Sequence, residues 1–439
     1  MLPIYAVSDA QASILKRRMV GERAYPERLL AGVERIFGKG VTPEEAVKRI
    51  LESVRSEGDE ALRRWSEKID GVKLDSFRVP ASSFAEAMDS LPPRLIEALR
   101  TAAERIRSFH RRQPIPSWEE NGLGQRFTPV ERVGVYVPGG SAPLPSSLLM
   151  SVIPAQVAGV EEIIVCTPPE PHPAILAAAA ICGVESVYRL GGAQAIAAMA
   201  FGTESLPKVD KIVGAGNVFV TLAKKQVYGL VGLDGLAGPT ETMVIADATA
   251  NPDWVAADLL AQAEHDPLAT AILLTPDLAL AKAVQQAVER QLPRLSRREI
   301  IRQSLESNGG IVLVRDLDEA ARLADEFAPE HLCLSVAEPR PLMDKIRNAG
   351  GFFLGEYSFE VLGDYVAGPS HVMPTSGTAR FASPLNVYDF LKISSVIGLE
   401  PSLARELSAV AAEIAHAEGL TAHAAAAELR LGGAPLPTE

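Results

Sequence analysis

The alternation of strand-like and helix-like segments after about residue 130 constrains the fold of this chain most. The strand-like run "RVGVYVP" leads into the Gly/Pro loop "PGGSAPLP", and the helix-like "PSSLLMSVIPAQVAGV" and strand-like "EEIIVCTPP" follow. The pattern continues through helix 173–182, strand "SVYRLGG", helix "AQAIAAMAFG", strand "KVDKIVGAG" and helix "NVFVTLAKKQVYG". Strands that alternate with helices form right-handed β-α-β units, so a parallel sheet is predicted here.

A second run of the same kind begins after "LAGPTE". Its segments are strand "TMVIAD", helix 251–265, strand "TAILLTP", helices near 276–291 and 296–307, strand "GGIVLVRD", helix 317–327, strand "HLCLSV", helix 340–349 and strand "GGFFLG". We therefore predict an α/β fold with two incomplete Rossmann-like parallel-sheet domains in series.

Helical patterns flank the two predicted sheets. On the N-terminal side, Thr42 followed by Glu45 is a capping box, and Pro92-Pro93 breaks a later helix. On the C-terminal side, "VYDFLKISSV" and segments 401–417 and 421–430 are predicted helices. The predicted organisation is a helical N-terminal region (1–120), a first Rossmann-like domain (121–236), a second Rossmann-like domain (237–386) and a helical C-terminal arm (387–439).

Charge and cysteine content narrow the class of function. A net charge of −12 over 439 residues disfavours electrostatic binding of nucleic acid or anionic lipid and favours small-molecule chemistry. The apolar runs are too short for a membrane span and no signal peptide is recognised, so we expect a cytoplasmic protein. The cysteines, Cys166, Cys182 and Cys333, lie in apolar runs and are predicted to be buried thiols.

The positions of the histidines say more about function than charge or cysteine content does. His110 and His172 lie in polar or Pro-rich surroundings and are predicted to be on the surface. In "LLAQAEHDP", Gln262 and His265 are three residues apart and share one face of a predicted helix, whereas Glu264 points elsewhere. These two side chains either lie on a solvated helix surface or form part of a metal site whose other ligands lie far along the chain.

Three further segments contain candidate catalytic or metal-binding residues. In "EFAPEHL", Glu330 and His331 pair a carboxylate with an imidazole, which suits proton transfer near neutral pH. Asp364 lies in a Gly-rich, loop-like segment, and His423 in a first helical turn. Locally, each also fits a structural interpretation: a strand entry, a turn aspartate and a surface histidine. The turn in "VGAGNVF" could hold a phosphate or could simply join strand to helix.

Taken together, these segments resemble the histidinol dehydrogenase family. The matching stretches run in order from about residue 130 to 430: "VGVYVPGGSAPLPSSLLM", "RLGGAQAIAAMAFGT", "VDKIVGAGNVFVTLAKK", "AGPTETMVIAD", "LLAQAEHDP", "FAPEHL", "LGDYVAGPSHVMPTSGTARF" and "EGLTAHAAAA". So many long motifs in one order make the resemblance specific, and the helical N-terminal region is compatible with it.

The resemblance implies a four-electron oxidation in histidine biosynthesis. L-Histidinol would be oxidised through enzyme-bound L-histidinaldehyde to L-histidine, with consumption of two NAD+. The resemblance also implies one Zn2+ per subunit, held by Gln262, His265, Asp364 and His423. In family members the last of these ligands comes from the other subunit of a homodimer, so the resemblance implies shared active sites here, with the C-terminal arm (387–439) as the dimer contact.

The resemblance also assigns roles to individual residues. His331 stands at the position of the family's general base, which removes the hydroxyl proton. Glu330 stands at the position of the residue that activates water to attack the aldehyde. The expected NAD-binding residues are Tyr136, Gln194 and Asn217. The expected substrate-binding residues are Thr240, Gln262, His265, His331, Asp364, His371, Glu418 and His423. The chain departs from the family at Thr240, where serine is usual. Threonine keeps the hydroxyl group of serine and adds one methyl group.

Two alternatives remain open from the sequence. One is a zinc- and NAD-dependent dehydrogenase of the same family that oxidises another small alcohol or diol, because the four predicted zinc ligands do not distinguish substrates. The other is a non-catalytic metabolite-binding protein with the same fold. The presence of both Glu330 and His331 disfavours the second alternative.

Overall fold

A computed structural model describes residues 2–17, 25–139 and 143–432. Residues 140–142 of the predicted Gly/Pro loop and residues 433–439 of the predicted C-terminal arm lie outside this part of the chain. Within the described ranges, no helix is both long and apolar enough to cross a membrane. The chain divides into two compact units: Met1–Gln113 with Val130–Phe390, and Pro114–Pro129 with Leu391–Glu439.

The regular elements are numbered here in chain order. The strands are β1 (Ile4–Ala6), β2 (Trp118–Glu120), β3 (Leu123–Pro129), β4 (Arg132–Tyr136), β5 (Glu162–Thr167), β6 (Val187–Arg189), β7 (Lys211–Val213), β8 (Gly232–Leu233), β9 (Glu241–Ala246), β10 (Thr270–Thr275), β11 (Gly309–Leu313), β12 (His331–Ser335), β13 (Gly351–Leu354) and β14 (Leu391–Ile397). The α-helices are α1 (Val7–Ala12), α2 (Glu27–Phe37), α3 (Pro43–Glu57), α4 (Asp59–Trp65), α5 (Ser82–Ser90), α6 (Pro93–His110), α7 (Pro145–Ala158), α8 (Pro173–Ile181), α9 (Gly192–Phe201), α10 (Val218–Val227), α11 (Pro252–Ala263), α12 (Leu278–Gln291), α13 (Arg298–Asn308), α14 (Leu317–Phe327), α15 (Pro339–Met343), α16 (Glu360–Tyr365), α17 (Pro401–Ala417) and α18 (Thr421–Glu428). A π-helical turn, Ser66–Asp70, follows α4.

The first unit contains two parallel sheets, as the sequence predicts. One has the strand order β6-β5-β4-β7-β8, and the other has the order β1-β11-β10-β9-β12-β13. The central strands are almost continuously buried, which is typical of parallel strands covered by helices on both faces. The predicted α/β fold with two Rossmann-like sheets is therefore confirmed.

Helices bury both faces of each sheet. On the first sheet, α3, α4, α9 and α10 supply the apolar residues of one large core cluster. On the second sheet, α11, α12 and α13 cover one face, and α1, α14 and α15 cover the other. Local signals set several helix starts: the Thr42 hydroxyl accepts a hydrogen bond from the Glu45 backbone N–H (3.2 Å), and α6 begins at Pro93 as the double proline predicts.

The N-terminal region differs from the helical prediction. β1 pairs in parallel with β11 and forms an edge of the second sheet, with Ile4 opposite Ile311. His110, predicted to lie on the surface, is buried at the end of α6, where its Nδ1 contacts Gln113 Oε1 at 3.0 Å. His172 is exposed as predicted, and its ring accepts a hydrogen bond from the backbone of Ala174 at the start of α8.

The second unit contains an antiparallel sheet that the sequence does not predict. Its strand order is β14-β3-β2, with Leu391 opposite Pro129. The stretch "VYDFLKISSV" is therefore a 3-10 turn (Val387–Phe390) followed by a strand, and the prediction of a helix there is wrong. After the strand, α17 and α18 pack against each other and form the helical part of the C-terminal arm.

Candidate active site

The buried centre of the site lies where two neighbouring strands of the second sheet begin. β9 starts at Glu241, and β12 starts at His331, opposite Thr242. Glu330 Oε2 accepts hydrogen bonds from the Thr240 hydroxyl (2.6 Å) and the Glu241 backbone N–H (2.9 Å). His331 Nδ1 lies 3.2 Å from the Glu241 carbonyl oxygen. The backbone of Glu241 thus contacts both predicted catalytic residues.

The contact at Nδ1 sets the tautomer of the neutral His331 ring. A carbonyl oxygen can only accept a hydrogen bond, so Nδ1 carries the hydrogen and donates to Glu241. Nε2 is then left with its lone pair, and this buried atom has no hydrogen-bond partner among the residues that the structure describes. It lies 4.0 Å from Asp364 Oδ1. His331 is therefore prepared to take a proton at Nε2.

The environment of Glu330 makes it a weak acid. Burial raises the pKa of this carboxyl group to about 7, against the opposing effects of the nearby His331 and of the hydrogen bonds from Thr240 and Glu241. A carboxyl group with a pKa near neutrality can both accept and release protons at physiological pH. The two hydrogen bonds keep its Oε2 oriented.

Three side chains with metal-binding atoms converge beside this pair. His265, Glu360 and Asp364 each offer an atom within 4.8 Å of the others, and His265 Nε2 lies 3.9 Å from Asp364 Oδ2. His265 lies in the turn after α11 and not in the helix, because α11 ends at Ala263. Asp364 belongs to the short helix α16 and not to a loop. Desolvation lowers the pKa of His265, which favours the neutral imidazole that binds metals.

Gln262 supplies an independent indication of a missing partner. Its side chain lies on α11 and is fully buried, yet neither amide atom has a hydrogen-bond partner among residues 2–17, 25–139 and 143–432. An unsatisfied buried amide is costly, and native structures rarely contain one without a reason. A cation bound through Oε1 would satisfy this oxygen. The donor set of amide, imidazole and carboxylate suits Zn2+, so the residues fit the predicted metal.

Glu360 is the member of the cluster that the sequence prediction misses. It lies one helical turn before Asp364, on the same face of α16, and it accepts a hydrogen bond from the Thr242 hydroxyl. Burial raises the pKa of Glu360 well above its usual range. The four-residue spacing of two carboxylates could have indicated this position. Glu264, next to His265 in sequence, is not part of the cluster.

His371 lies behind Asp364 and has partners on both ring nitrogens. Its Nδ1 donates to the Asp364 carbonyl oxygen (2.8 Å), and its Nε2 is 3.1 Å from the hydroxyl of Ser147 on α7. Burial lowers the pKa of His371, so the ring is neutral near pH 7. These contacts orient the backbone of α16, and Ser147 is a further residue that the sequence analysis did not single out.

The three predicted NAD-binding residues follow strands of the first sheet on their carboxyl side: Tyr136 ends β4, Gln194 lies in the first turn of α9 after β6, and Asn217 precedes α10 after β7. The Tyr136 hydroxyl accepts a hydrogen bond from the Gly192 backbone N–H (3.1 Å), at the start of the helix that carries Gln194. Gln194 donates to Asp70 Oδ2 (3.0 Å), and its buried Oε1 has no partner among the described residues. Burial raises the pKa of Asp70 to about 6.

Asn217 lies in the turn between β7 and α10. Its side chain accepts hydrogen bonds from the backbone N–H groups of Phe219 and Val220 and caps the helix. Gly214, in the same turn, has a φ of +104° and lies so close to β4 that a Cβ there would meet the Tyr136 carbonyl oxygen at 2.2 Å. The turn therefore approaches the end of β4, the strand that carries Tyr136.

Two predicted site residues belong to the second unit. Glu418 follows α17 directly, and His423 lies in the first turn of α18. Both side chains are exposed on this unit. Their assignment to the site stays a prediction.

Comparisons with known proteins point to one family. A family model described as "Histidinol dehydrogenase" matches residues 38–431. The histidinol dehydrogenase of Thermus thermophilus is 56% identical over 393 residues, which are 89% of this chain and 95% of that protein. The Deinococcus radiodurans enzyme is 50% identical over 435 residues, which cover 97% of this chain and 99% of that protein. The crystal structure of histidinol dehydrogenase from Elizabethkingia anophelis has a TM-score of 0.88 at 35% identity and covers 98% of each chain.

Both the family model and these relatives span most of the sequence, including the segments that carry the site. The prediction of an NAD-dependent oxidoreductase that acts on a CH–OH group, within histidine biosynthesis, is confirmed at the level of the family. The chain belongs to the histidinol dehydrogenase family.

Proposed function

We propose that the protein oxidises L-histidinol through L-histidinaldehyde to L-histidine, with one zinc ion per active site and two NAD+ per substrate. The observation that carries this proposal is the buried pair of Glu330 and His331, held together by Glu241 and adjacent to the His265, Glu360 and Asp364 cluster. Such an arrangement places a carboxylate and an imidazole, which can both take protons, beside a metal-binding group, as two successive oxidations at one carbon require.

The zinc ligands in this proposal are Gln262, His265, Asp364 and the partner subunit's His423. The unsatisfied amide of Gln262 and the convergence of His265 with Asp364 support the first three. When bound, zinc supplies a Lewis acid that can orient the imidazole and amine of histidinol. We propose Thr240, His371 and Glu418 as further substrate-pocket residues; Thr240 and His371 act through Glu330 and Asp364, which they contact.

Proton transfer is divided between the two catalytic residues. In the first oxidation, His331 Nε2 takes the hydroxyl proton of the alcohol, because it is the unprotonated ring nitrogen. In the second oxidation, Glu330 takes a proton from the water that attacks the aldehyde. Its raised pKa makes this carboxylate a stronger base than an exposed one.

NAD+ is the electron acceptor in this proposal, and Tyr136, Gln194 and Asn217 would hold it. The unsatisfied Gln194 Oε1 and the Gly-rich turn before α10 support a ligand in this region. Backbone N–H groups at a helix start suit a pyrophosphate. We further propose a cytoplasmic location, because all three cysteines are buried free thiols; cell fractionation would test it.

The homodimer belongs to the same proposal. On α17, Leu407, Val410 and Ile414 are exposed by 44%, 56% and 56%, respectively, and their spacing forms an apolar stripe on one helix face. A stripe of this kind is typical of a surface that another subunit covers. It lies on the helix that precedes His423 and is consistent with an arm that reaches a neighbouring site.

Subunit mixing tests the shared site. A His331→Asn subunit and a His423→Ala subunit are each expected to be inactive as homodimers. After subunit exchange, mixed dimers contain one site with both residues intact, so part of the activity returns. Absence of recovery, with exchange confirmed by mass spectrometry of differently tagged subunits, would show that His423 acts within its own chain or not at all.

Product stoichiometry tests the reaction itself. Zinc-loaded protein is expected to reduce two NAD+ for each L-histidinol consumed and to release L-histidine. The measurement is NADH absorbance against histidine by mass spectrometry, with other small amino alcohols and diols as comparison substrates. One NADH per substrate would contradict the second oxidation, and faster turnover of another alcohol would favour the alternative substrate class.

A further inference from the structure

Arg17, which follows α1, makes an unusual set of contacts with the second sheet. Its Nε donates to the Phe327 carbonyl oxygen (2.5 Å), Nη2 donates to the Ala328 carbonyl oxygen (2.7 Å), and Nη1 forms an ion pair with the Glu241 carboxylate. The guanidinium also lies 3.5 Å from the centre of the Phe327 ring. One side chain thus contacts two chain segments that are far from it in sequence.

One of these segments leads into the Glu330–His331 pair, and the other contacts that pair through its backbone. Phe327 and Ala328 end α14 immediately before Glu330 and His331. Glu241 begins β9, donates its N–H to Glu330 (2.9 Å) and accepts from His331 Nδ1 through its carbonyl oxygen (3.2 Å).

The fixed geometry of a guanidinium suits this arrangement. Its planar fork can hold two carbonyl oxygens and one carboxylate at once, whereas an ammonium group offers no such fixed directions. Glu241 is nearly fully buried, with its side chain 4% exposed and that of Arg17 24% exposed, so their attraction is only partly screened by water. The Ser376 backbone N–H also donates to Glu241 (3.2 Å) and extends the same network.

We propose that Arg17 is a positioning residue for Glu330 and His331. It ties the end of α14 to the start of β9, and the distance between these segments sets where the carboxylate and the imidazole stand. Arg17 contacts neither residue directly and acts through Glu241 and the Phe327 and Ala328 carbonyl groups. This inference rests on the proposed function, in which Glu330 and His331 move the protons.

The experiment compares Arg17→Ala, Arg17→Lys and the double variant Arg17→Ala/Glu241→Gln. Arg132→Ala is the matched control, because Arg132 also joins a carboxylate (Glu162) and a backbone carbonyl (Lys208) but lies on the first sheet. The readouts are kcat, KM, zinc content, thermal unfolding and backbone hydrogen exchange of the segment that contains Glu241.

For Arg17→Ala we expect kcat to fall about 10²-fold, with KM and zinc content unchanged, because misplaced catalytic groups slow the chemical step without weakening substrate binding. Arg17→Lys should retain an intermediate kcat. Glu241→Gln in the Arg17→Ala background should restore thermal stability, since it removes the buried charge that Arg17 compensates, but should not restore kcat.

An unchanged kcat in Arg17→Ala, or a kcat that returns together with stability in the double variant, would overturn the inference. An equal loss of kcat in Arg132→Ala would overturn it as well. If the wild-type protein does not oxidise histidinol, the proposed function fails, and hydrogen exchange still decides the positioning role. Faster exchange of Glu241 in Arg17→Ala, but not in Arg132→Ala, supports that role, and equal exchange contradicts it.

Discussion

Replacement of His331 by asparagine is expected to lower kcat by about 10²- to 10⁴-fold, the usual contribution of a general base. Asparagine can still donate a hydrogen bond to the Glu241 carbonyl oxygen that now accepts from Nδ1. It cannot take a proton, so the free lone pair at Nε2 is lost. Steady-state kinetics with L-histidinol, together with zinc analysis of the purified variant, measure the effect, and zinc content should not change.

His172→Asn is the matched control for this substitution. His172 is exposed and accepts a hydrogen bond from Ala174 at the start of α8, a role that asparagine also fulfils well. Its kcat should equal that of the wild type. A His331→Asn variant with near-normal kcat would remove His331 from the proton transfer and leave Glu330 as the candidate for both steps.

Replacement of Gln262 by leucine is expected to have opposite effects on metal binding and on the stability of the metal-free protein. Zinc binding and turnover should be lost, because the amide oxygen is a proposed ligand. The metal-free variant should be more stable than the metal-free wild type by about 1–3 kcal/mol, since the buried amide has no hydrogen-bond partner among the described residues. Thermal unfolding after chelation, and zinc content after reloading, measure the two effects.

Gln156→Leu supplies the contrasting control. Gln156 donates to the Cys182 carbonyl oxygen at 2.6 Å, so the same substitution there removes a satisfied hydrogen bond and should lower stability. Zinc content should stay normal in this variant. Normal zinc content in Gln262→Leu would exclude Gln262 as a ligand, and a metal-free variant less stable than the wild type would show that its amide is satisfied in solution.

Much of the first unit could be predicted because its strands are short, apolar and regularly separated by helices. The antiparallel sheet of the second unit could not. β14 pairs with β3, whose residues lie more than two hundred positions earlier, with Ile393 opposite Phe127. No local pattern indicates such a partner. β14 is also mostly exposed, so it lacks the continuous apolar run by which buried strands are recognised.

The segment around Asp364 shows a different reason why a sequence-based prediction failed. Gly363 and its neighbours suggest a loop, but they form α16. A Cβ at Gly363 would meet the Phe353 ring at 2.6 Å, so glycine is required there by the approach of the helix to β13. With the helix recognised, the four-residue spacing places Glu360 beside Asp364. The missing information was therefore tertiary packing.

The location of the proposed catalytic pair also departs from a general rule. Ligands of open α/β sheets usually bind at the carboxyl ends of the strands, as Tyr136 at the end of β4 suggests for the first sheet. Glu330 and His331 instead lie at the amino end of β12, and Thr240 lies directly before β9. The rule alone would have directed attention to the opposite edge of the second sheet, whereas the motif resemblance indicates the edge at which Glu330 and His331 lie.

The pairing of β1 with β11 has a consequence for the order in which the chain can fold during translation. β1 leaves the ribosome long before its partner strand, and Arg17 precedes its contact Phe327 by 310 residues. Until those partners emerge, the nascent chain carries an unpaired apolar strand, a feature that favours aggregation. We therefore expect nascent chains that end before β11 to need chaperone protection. We also expect Glu330 and His331 to reach their final positions only after nearly the whole first unit has been synthesised.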